Sequence, residues 1–171
     1  GYSVDNSLRF NDDDSAYLNR TFGTATNRKK WTWSGWVKRG NIGSSITRLF
    51  SASTAQAGIY FRNTDELHVS STIGIDVQVS AKSRDPSAWY HIVVAMDTTQ
   101  GTASNRLKIY INGLVTTDFA SSTYPTLNSE DQINNSTSHY LGQSGSSSQY
   151  LDGYLAEVHF IDGQALDPTS F

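Results

Sequence analysis

The sequence predicts an all-β fold in which two antiparallel sheets pack face to face as a sandwich, with very little helix. About a dozen short segments alternate apolar and polar residues between turn-forming residues, which is typical of half-buried strands. No window of about 11 residues repeats apolar residues at the i, i+3, i+4, i+7 spacing of an amphipathic helix. Asn112-Gly113, between Ile111 and Leu114, is the strongest short hairpin signal, because a type I′ turn needs positive φ at both central residues.

The first part of the chain predicts two short strands and then a central one. Ser7–Phe10 and Ala16–Phe22 are predicted strands on either side of the turn Asn11–Ser15. Trp31–Lys38, which reads WTWSGWVK, is dense in the aromatic residues that suit a pleated, half-buried surface, so we expect it in the middle of a sheet. Further short strands are predicted at Arg48–Ala52, Gly58–Arg62, Glu66–Ser71 and Ile75–Ala81.

Residues 89–119 predict three consecutive antiparallel strands. In Trp89–Asp97 both alternating faces are largely apolar, so this strand belongs in the middle of a sheet. Leu107–Asn112 alternates as a half-buried strand, and after the Asn112-Gly113 turn the segment Leu114–Phe119 is expected to fold straight back.

The last part of the chain contains a long polar segment and two further strands. Ala120–Ser138 is either an ordered connection across the sandwich or a mobile loop, and its length makes it a candidate functional loop. His139–Gly142 is a predicted strand, Gln143–Gln149 is a serine-rich loop, and Tyr150–Ile161 is a long final strand.

The composition bounds the class of protein. The chain has 171 residues, of which 37% are hydrophobic, so we expect one domain over residues 1–171, and the opening Gly1-Tyr2-Ser3 suggests excision from a longer chain. A net charge of −3 disfavours a nucleic-acid partner, whose binding rests on many phosphate contacts. The lack of cysteine excludes disulfides and thiolate metal sites. No apolar run approaches the roughly 20 residues of a membrane helix, so membrane insertion is not expected.

The arrangement of candidate catalytic residues predicts that the domain is not an enzyme. A retaining glycosidase needs two carboxylates roughly 5 Å apart, whereas Glu66, Glu130 and Glu157 lie in separate segments. Gly142–Ser146 lacks the second glycine of a Gly-x-Ser-x-Gly nucleophile elbow. The histidines are scattered without the paired spacing of a zinc site, and we expect each on a strand with its polar tip at the surface: His68, His91, His139 and His159.

Oxygen ligands are the remaining route to a metal site. Asp12-Asp13-Asp14 is the densest carboxylate cluster, and Ca²⁺ takes six to eight oxygen ligands from carboxylates, carbonyls and water. The cluster does not match an EF-hand loop. Two interpretations therefore stay open: a solvated turn, or a structural calcium ion held by Asp12 and Asp14.

Aromatic side chains are the remaining candidates for ligand binding, because sugar rings stack on them while polar neighbours bond the hydroxyl groups. Strongly apolar strands contain Trp33, Trp36, Phe50 and Trp89, which we expect in the core or in sheet packing. The candidate ligand-binding residues lie on expected exposed faces and rims: Tyr60, His68, Tyr110, Tyr124 and Tyr150. The alternative, surface side chains that bind nothing, stays open.

Five motifs in order resemble those of a known family and cover nearly the whole chain. They are Ser7–Phe10, Trp31–Lys38, Trp89–Val94, Leu107–Gly113 (LKIYING) and Leu151–Ile161 followed by Gln164-Ala165-Leu166. This sequence is similar to laminin-G-like jelly-roll domains of the concanavalin A-like superfamily. The sequences of residues 84–91 and 160–171 resemble those of domains in virion and tail-appendage proteins of bacteriophages.

The resemblance implies a two-sheet jelly roll whose faces or rim loops bind glycans or protein receptors in many relatives. It leads us to expect a non-catalytic recognition or attachment module on a virion surface or in another extracellular setting, with host-surface glycans or receptors and other virion subunits as partners. A structural domain that decorates a capsid or fibre is the alternative, and a glycoside hydrolase is a weaker one, because such folds support many functions.

Overall fold

A computed structural model describes residues 5–53 and 57–171 and shows two antiparallel sheets packed as a jelly-roll sandwich, which confirms the expected fold class. The strands in this part of the chain are β1 Leu8–Phe10, β2 Leu18–Thr21, β3 Lys30–Arg39, β4 Thr47–Ala52, β5 Gly58–Phe61, β6 Glu66–Ser71, β7 Ile75–Lys82, β8 Tyr90–Asp97, β9 Leu107–Ile111, β10 Leu114–Val115, β11 Phe119–Thr123, β12 Ser138–Leu141 and β13 Gly153–Asp162. Two short 3₁₀ turns are at Ala103–Asn105 and Pro168–Ser170. Within the described ranges, no helix has the length and apolar character needed to span a membrane.

The two sheets have six and seven strands. The six-stranded sheet has the order β1-β13-β3-β8-β9-β10, and the seven-stranded sheet has the order β11-β7-β6-β5-β4-β12-β2. β3 and β8 lie in the middle of the six-stranded sheet, as their aromatic and apolar sequences predict. Neighbouring strands are antiparallel throughout both sheets.

The hydrophobic core lies between the inner faces of the sheets. Strand alternation places Ile92, Val94 and Met96 of β8 in this core, opposite residues such as Ile59 and Val69 of the other sheet. The largest fully buried side chains include Trp31, Trp33, Phe10, Phe61, Leu49, Ile109 and Leu151.

The C-terminal segment explains why β8 is apolar on both faces. The segment after β13 turns back along the outer face of the six-stranded sheet, where Gln164 O accepts a hydrogen bond from Thr32 Oγ1 at 2.8 Å and Leu166 N donates to the same hydroxyl at 2.8 Å. The second face of β8, including Val93 and Ala95, is therefore buried as well.

The predicted three-strand unit is present, but its last strand is shorter than expected. Asn112 and Gly113 have φ of 52° and 82°, so the turn has the positive φ values that the sequence predicts. β10 ends at Val115, and Phe119 begins β11, which pairs with β7 in the other sheet. The chain thus passes from one sheet to the other within Leu114–Phe119, although apolar and polar residues alternate almost continuously there.

The aromatic residues divide between the core and an outer face. Trp33 and Phe50 are buried in the core, as expected. Trp36 and Trp89 are only half-buried. Trp36 stacks on His91 on the outer face of the six-stranded sheet, with 4.8 Å between ring centroids. These two indoles therefore pack on the sheet face, the second of the two expected locations, and not in the core.

Candidate functional site

Tyr60 and His68 form a cross-strand pair on the outer face of the seven-stranded sheet. They lie opposite each other on β5 and β6, with ring centroids 4.8 Å apart. Their chain neighbours Ile59, Phe61 and Leu67 fill the core, so the pair faces away from it. The expectation of an exposed face is nevertheless wrong, because Tyr60 is 7% exposed and His68 is 3% exposed.

Arg48 of β4 extends this pair and was not predicted from the sequence. It lies opposite Tyr60, and its Cζ atom is 4.0 Å from the centroid of the tyrosine ring. The side chain is 3% exposed, and burial lowers the pKa of the guanidinium to about 10 despite the partial compensation from Tyr60. Its Nε donates to Gln149 Oε1 at 2.8 Å, which connects the sheet to the loop before β13.

His68 is held as a neutral donor. Its Nε2 bonds Asp76 Oδ1 on β7, and its Nδ1 lies 3.4 Å from Arg62 Nη1, so Nδ1 accepts and Nε2 donates. Burial lowers the pKa of His68, and Asp76 offsets this only in part. We call Arg48, Tyr60, His68 and Asp76 the sheet-face cluster.

A polar cleft lies at the rim of the sandwich beside this cluster. Its volume is about 510 Å³, and its walls come from four loops: Asp12, Ser44, Ser45, Ile46, Asn63, Gln149 and Tyr150. Gln149 connects the cleft to the cluster, because its backbone oxygen also accepts from Arg48 N at 3.0 Å. The sheet-face cluster therefore fixes one wall of this rim cleft. Tyr150, predicted to lie on a rim, is half-buried in it.

The acidic turn forms another part of the rim. Asp12 Oδ2 accepts from Asn41 Nδ2 at 3.0 Å, and Asp14 Oδ2 accepts from Asn11 Nδ2 at 2.6 Å. Across residues 5–53 and 57–171, no group of three or more His, Asp or Glu side chains is arranged to hold a metal. Asp12 and Asp14 thus support the turn with their own hydrogen bonds, and calcium binding there stays a prediction.

Tyr110 and Tyr124 lie apart from the rim cleft. Tyr110 faces away from the core, as expected, but lines a separate cleft of about 330 Å³ with Lys108, Asp97 and Asp167. Burial, with a smaller contribution from Asp167, raises the pKa of Tyr110. Tyr124 is half-buried and packs against the core. The structure thus pairs Tyr60 with His68 and places Tyr150 next to Gln149, which Arg48 links to that pair, whereas Tyr110 and Tyr124 lie elsewhere.

Most of the histidines are buried, contrary to expectation. His68, His91 and His139 are each less than a tenth exposed, and His159 is exposed. His139 Nδ1 donates to Thr137 O at 2.9 Å and its Nε2 accepts from Asn134 N at 3.2 Å, so both nitrogens serve the fold. Burial lowers the pKa of His139, which keeps the ring neutral.

The glutamates do not form a pair. Glu66 lies on the seven-stranded sheet, 3.4 Å from Lys82 Nζ, and Glu157 lies in β13 of the other sheet, 3.7 Å from His159 Nε2. Glu130 pairs with Arg28 at 2.9 Å in a loop. The three glutamates are therefore separate charges, of which Glu66 is buried, and they form no dyad across a cleft.

Comparison with known proteins gives a family match and several distant structural likenesses. The sequence matches, over residues 10–170, a laminin G family model described as the concanavalin A-like lectin/glucanases superfamily. A search of curated proteins finds no match. Solved structures with a similar fold include a candidate carbohydrate-binding protein from Bacteroides ovatus, with 14% identity, a TM-score of 0.63, and coverage of 90% of this chain and 42% of that one.

Two further solved structures have similar scores. A heptameric SAP-like pentraxin from Limulus polyphemus is 16% identical with a TM-score of 0.58, over 88% of this chain and 70% of that one. A Trypanosoma rangeli sialidase in complex with sialic acid is 14% identical with a TM-score of 0.56, over 83% of this chain but only 22% of that one. At these identities the likeness establishes the fold alone.

Proposed function

Because the chain belongs to the concanavalin A-like lectin/glucanases superfamily, we propose that it is a non-catalytic recognition module that binds glycans in the rim cleft. The description of the Bacteroides ovatus protein as carbohydrate-binding supports this ligand class. So does the sialic acid complex of the Trypanosoma rangeli sialidase.

The composition of the rim cleft is the observation that carries the proposal. Tyr150 offers an aromatic face for the C–H groups of a sugar ring, while Asn63, Gln149 and Ser44 offer amide and hydroxyl groups to the sugar hydroxyls. The cleft, of about 510 Å³, is within the usual range for small-ligand sites. The hydrogen bond from Arg48 holds the Gln149 side chain in place, so this wall of the rim cleft is ordered before a ligand binds.

The separation of the glutamates supports recognition without hydrolysis. Glu66 and Glu157 lie in different sheets, whereas a retaining glycosidase needs two carboxylates roughly 5 Å apart. Hydrolysis remains the weaker alternative and is tested directly: incubation with polysaccharide panels should release no new reducing ends. Release that disappears with Glu157→Gln would show that the domain is an enzyme.

We assign the module to a bacteriophage virion or tail protein, at the virion surface, where it attaches to host-surface glycans or receptors. The motifs at residues 84–91 and 160–171 support this setting. A structural role, in which the domain contacts other virion subunits, is the second candidate. It is favoured by exposed apolar side chains: Leu8 at 48% exposed and Leu18 at 50% line one surface cleft, and Tyr17, next to Leu18 in the sequence, is 46% exposed.

A glycan array separates these roles. The parent domain should bind a restricted set of glycans, and Tyr150→Ala should weaken that binding about tenfold, since stacking on an aromatic ring is lost. Tyr17→Ala is the matched control, because Tyr17 is exposed outside the rim cleft, and it should leave binding unchanged. An array without selective binding would instead favour the structural role, and equal effects of both variants would place the site elsewhere.

A further inference from the structure

Two tryptophans form a cleft on the outer face of the six-stranded sheet. Trp36 and Trp89 are half-buried, and the space of about 410 Å³ beside them is also lined by His91, Asn112, Gly113, Pro168 and Phe171. We call this space the aromatic cleft. It contains no residue of the rim cleft, and its walls come from β3, the start of β8, the β9–β10 turn and the C-terminal turn.

The floor of the aromatic cleft is rigid. Trp36 stacks on His91 with 21° between the ring planes, and His91 Nε2 bonds the buried hydroxyl of Ser34 at 3.0 Å. Asn112 Oδ1 accepts from His91 N at 2.9 Å, so the hairpin turn is tied to the same residue. On the other side, the Trp89 ring lies 6.5 Å from that of Tyr154. Preorganised aromatic surfaces of this kind favour ligand binding, because little side-chain freedom remains to be lost.

The side chains that line the cleft carry no formal charge. Burial lowers the pKa of His91, with a smaller contribution from His159, so the imidazole is neutral near pH 7. The other described residues of the lining are aromatic, or are Asn, Gly and Pro. The cleft therefore suits an uncharged ligand that has both apolar faces and hydrogen-bonding edges.

We propose that the aromatic cleft is a second ligand site, which binds a neutral pyranose ring of an oligosaccharide. The apolar face of the ring packs on Trp36 or Trp89, and the exposed side chain of Asn112 bonds a hydroxyl group. A proline-rich peptide would also pack on indoles, but it needs an extended groove. Four separate segments bound this cleft, which suits a compact ring better.

The indole N–H signals of the ¹⁵N-labelled domain test the proposal. Titration with neutral oligosaccharides of glucose, galactose and mannose should shift the signals of Trp36 and Trp89. Trp31 and Trp33 are internal controls, because their indole nitrogens are buried in the core, and their signals should stay in place. Trp89→Ala, checked for folding by its melting curve, should weaken binding about tenfold.

A matched variant separates this site from the rim cleft. Tyr150→Ala should leave the shifts of Trp36 and Trp89 unchanged, although it weakens binding to the glycans that the rim cleft recognises. The proposal is overturned if no oligosaccharide of the panel shifts these two signals. It is equally overturned if a proline-rich peptide shifts them and no sugar does, or if Trp89→Ala folds and binds like the parent.

Discussion

Asp65 connects the two sheets through contacts with two arginines. It lies in the turn between β5 and β6 with φ of 78°, and it is 1% exposed. Its carboxylate is 3.1 Å from Arg39 Nη2, at the end of β3 in the other sheet, and 2.8 Å from Arg84 Nε. Burial by itself would raise the pKa of Asp65, but hydrogen bonds from Arg84, from Gly43 N and from Arg39 together lower it. The charge is therefore well compensated in the folded state.

Removal of this carboxylate should be costly. We expect Asp65→Ala to lower the free energy of unfolding by about 3–5 kcal/mol, because Arg39 is left as a buried charge without its partner. Arg84→Ala is the control: the Arg84 side chain is 58% exposed, so its loss should cost less than about 1 kcal/mol. Urea unfolding measures both variants, and an unchanged midpoint for Asp65→Ala would contradict the role of Asp65.

For single residues, strand alternation in the sequence predicts which face of a sheet a side chain is on, but not whether that side chain is buried. Alternation correctly turned Tyr60, His68 and Tyr110 away from the core. It could not show that Tyr60 and His68 are buried, because Arg48 of β4 lies over the Tyr60 ring and is held there by Gln149, which belongs to a loop distant in sequence. The burial of outward-facing residues depends on such long-range contacts, which no local pattern contains.

Strands could be predicted where their sequence pattern is local. The predicted strand boundaries were wrong where the chain passes from one sheet to the other. The run from Leu114 to Phe119 alternates as one strand, yet Asp118 bonds Ser80 of β7 through both its backbone oxygen and its carboxylate. The turn residues Thr116 and Thr117 therefore lie between two sheets. Gln143–Gln149 has no strand, as predicted, yet Ser144 within this loop is buried.

The glycine turns provide a graded test of these elements. Gly113 and Gly142 both have φ of 82°, which costs a side chain about 1–2 kcal/mol. A Cβ on Gly142 would also lie 2.5 Å from the buried ring of Phe10, whereas nothing lies within 4 Å at Gly113. We expect Gly142→Val to lower the urea midpoint most, Gly113→Val to lower it visibly, and Gly145→Val to be nearly silent. Equal midpoints for all three would contradict the hairpin and the packing of Gly142 on β1.

The turn between β1 and β2 tests the calcium prediction. If Asp12 and Asp14 hold Ca²⁺, EDTA should lower the melting temperature by several degrees, because an ion bound only to the folded state stabilises it. Asp14→Asn is the control and should remove the response to EDTA. An unchanged melting curve of the parent would leave the turn stabilised by its own bonds from Asn11 and Asn41.

At the scale of the whole molecule, the sequence predicts the core but not the contacts that hold the surrounding loops. Period-two alternation is a local property, so two sheets around an apolar interior follow from it directly. The loops depend on single carboxylates instead. Asp97 accepts from Thr99 N, Thr99 Oγ1 and Gln100 Nε2, and Asp162 accepts from Thr26 N and Asn134 Nδ2. The stability of the domain should therefore depend on pH.

Acid should destabilise the domain in two steps. Burial by itself would raise the pKa values of Asp97 and Asp162, but their hydrogen bonds lower both to about 2. A lowered pKa contributes stability above the ordinary value of 3.8, and that stability is lost as the pH falls through about 2. His68, His91 and His139, whose pKa values burial lowers, add an earlier step below their ordinary value of 6.5. Urea midpoints from pH 8 to 2 measure both steps.

The Asp97→Asn variant identifies the carboxylate contribution to the acid step. It should have a lower free energy of unfolding than the parent at pH 7, because Lys30 Nζ at 3.2 Å loses its charged partner. The difference in free energy between variant and parent should become smaller as the pH falls toward 2. Asp13→Asn, in the exposed part of the β1–β2 turn, is the matched control, and its urea midpoints should change with pH as those of the parent do. A gap between Asp97→Asn and the parent that stayed constant from pH 7 to 2 would show that the charge of Asp97 does not stabilise the folded loops.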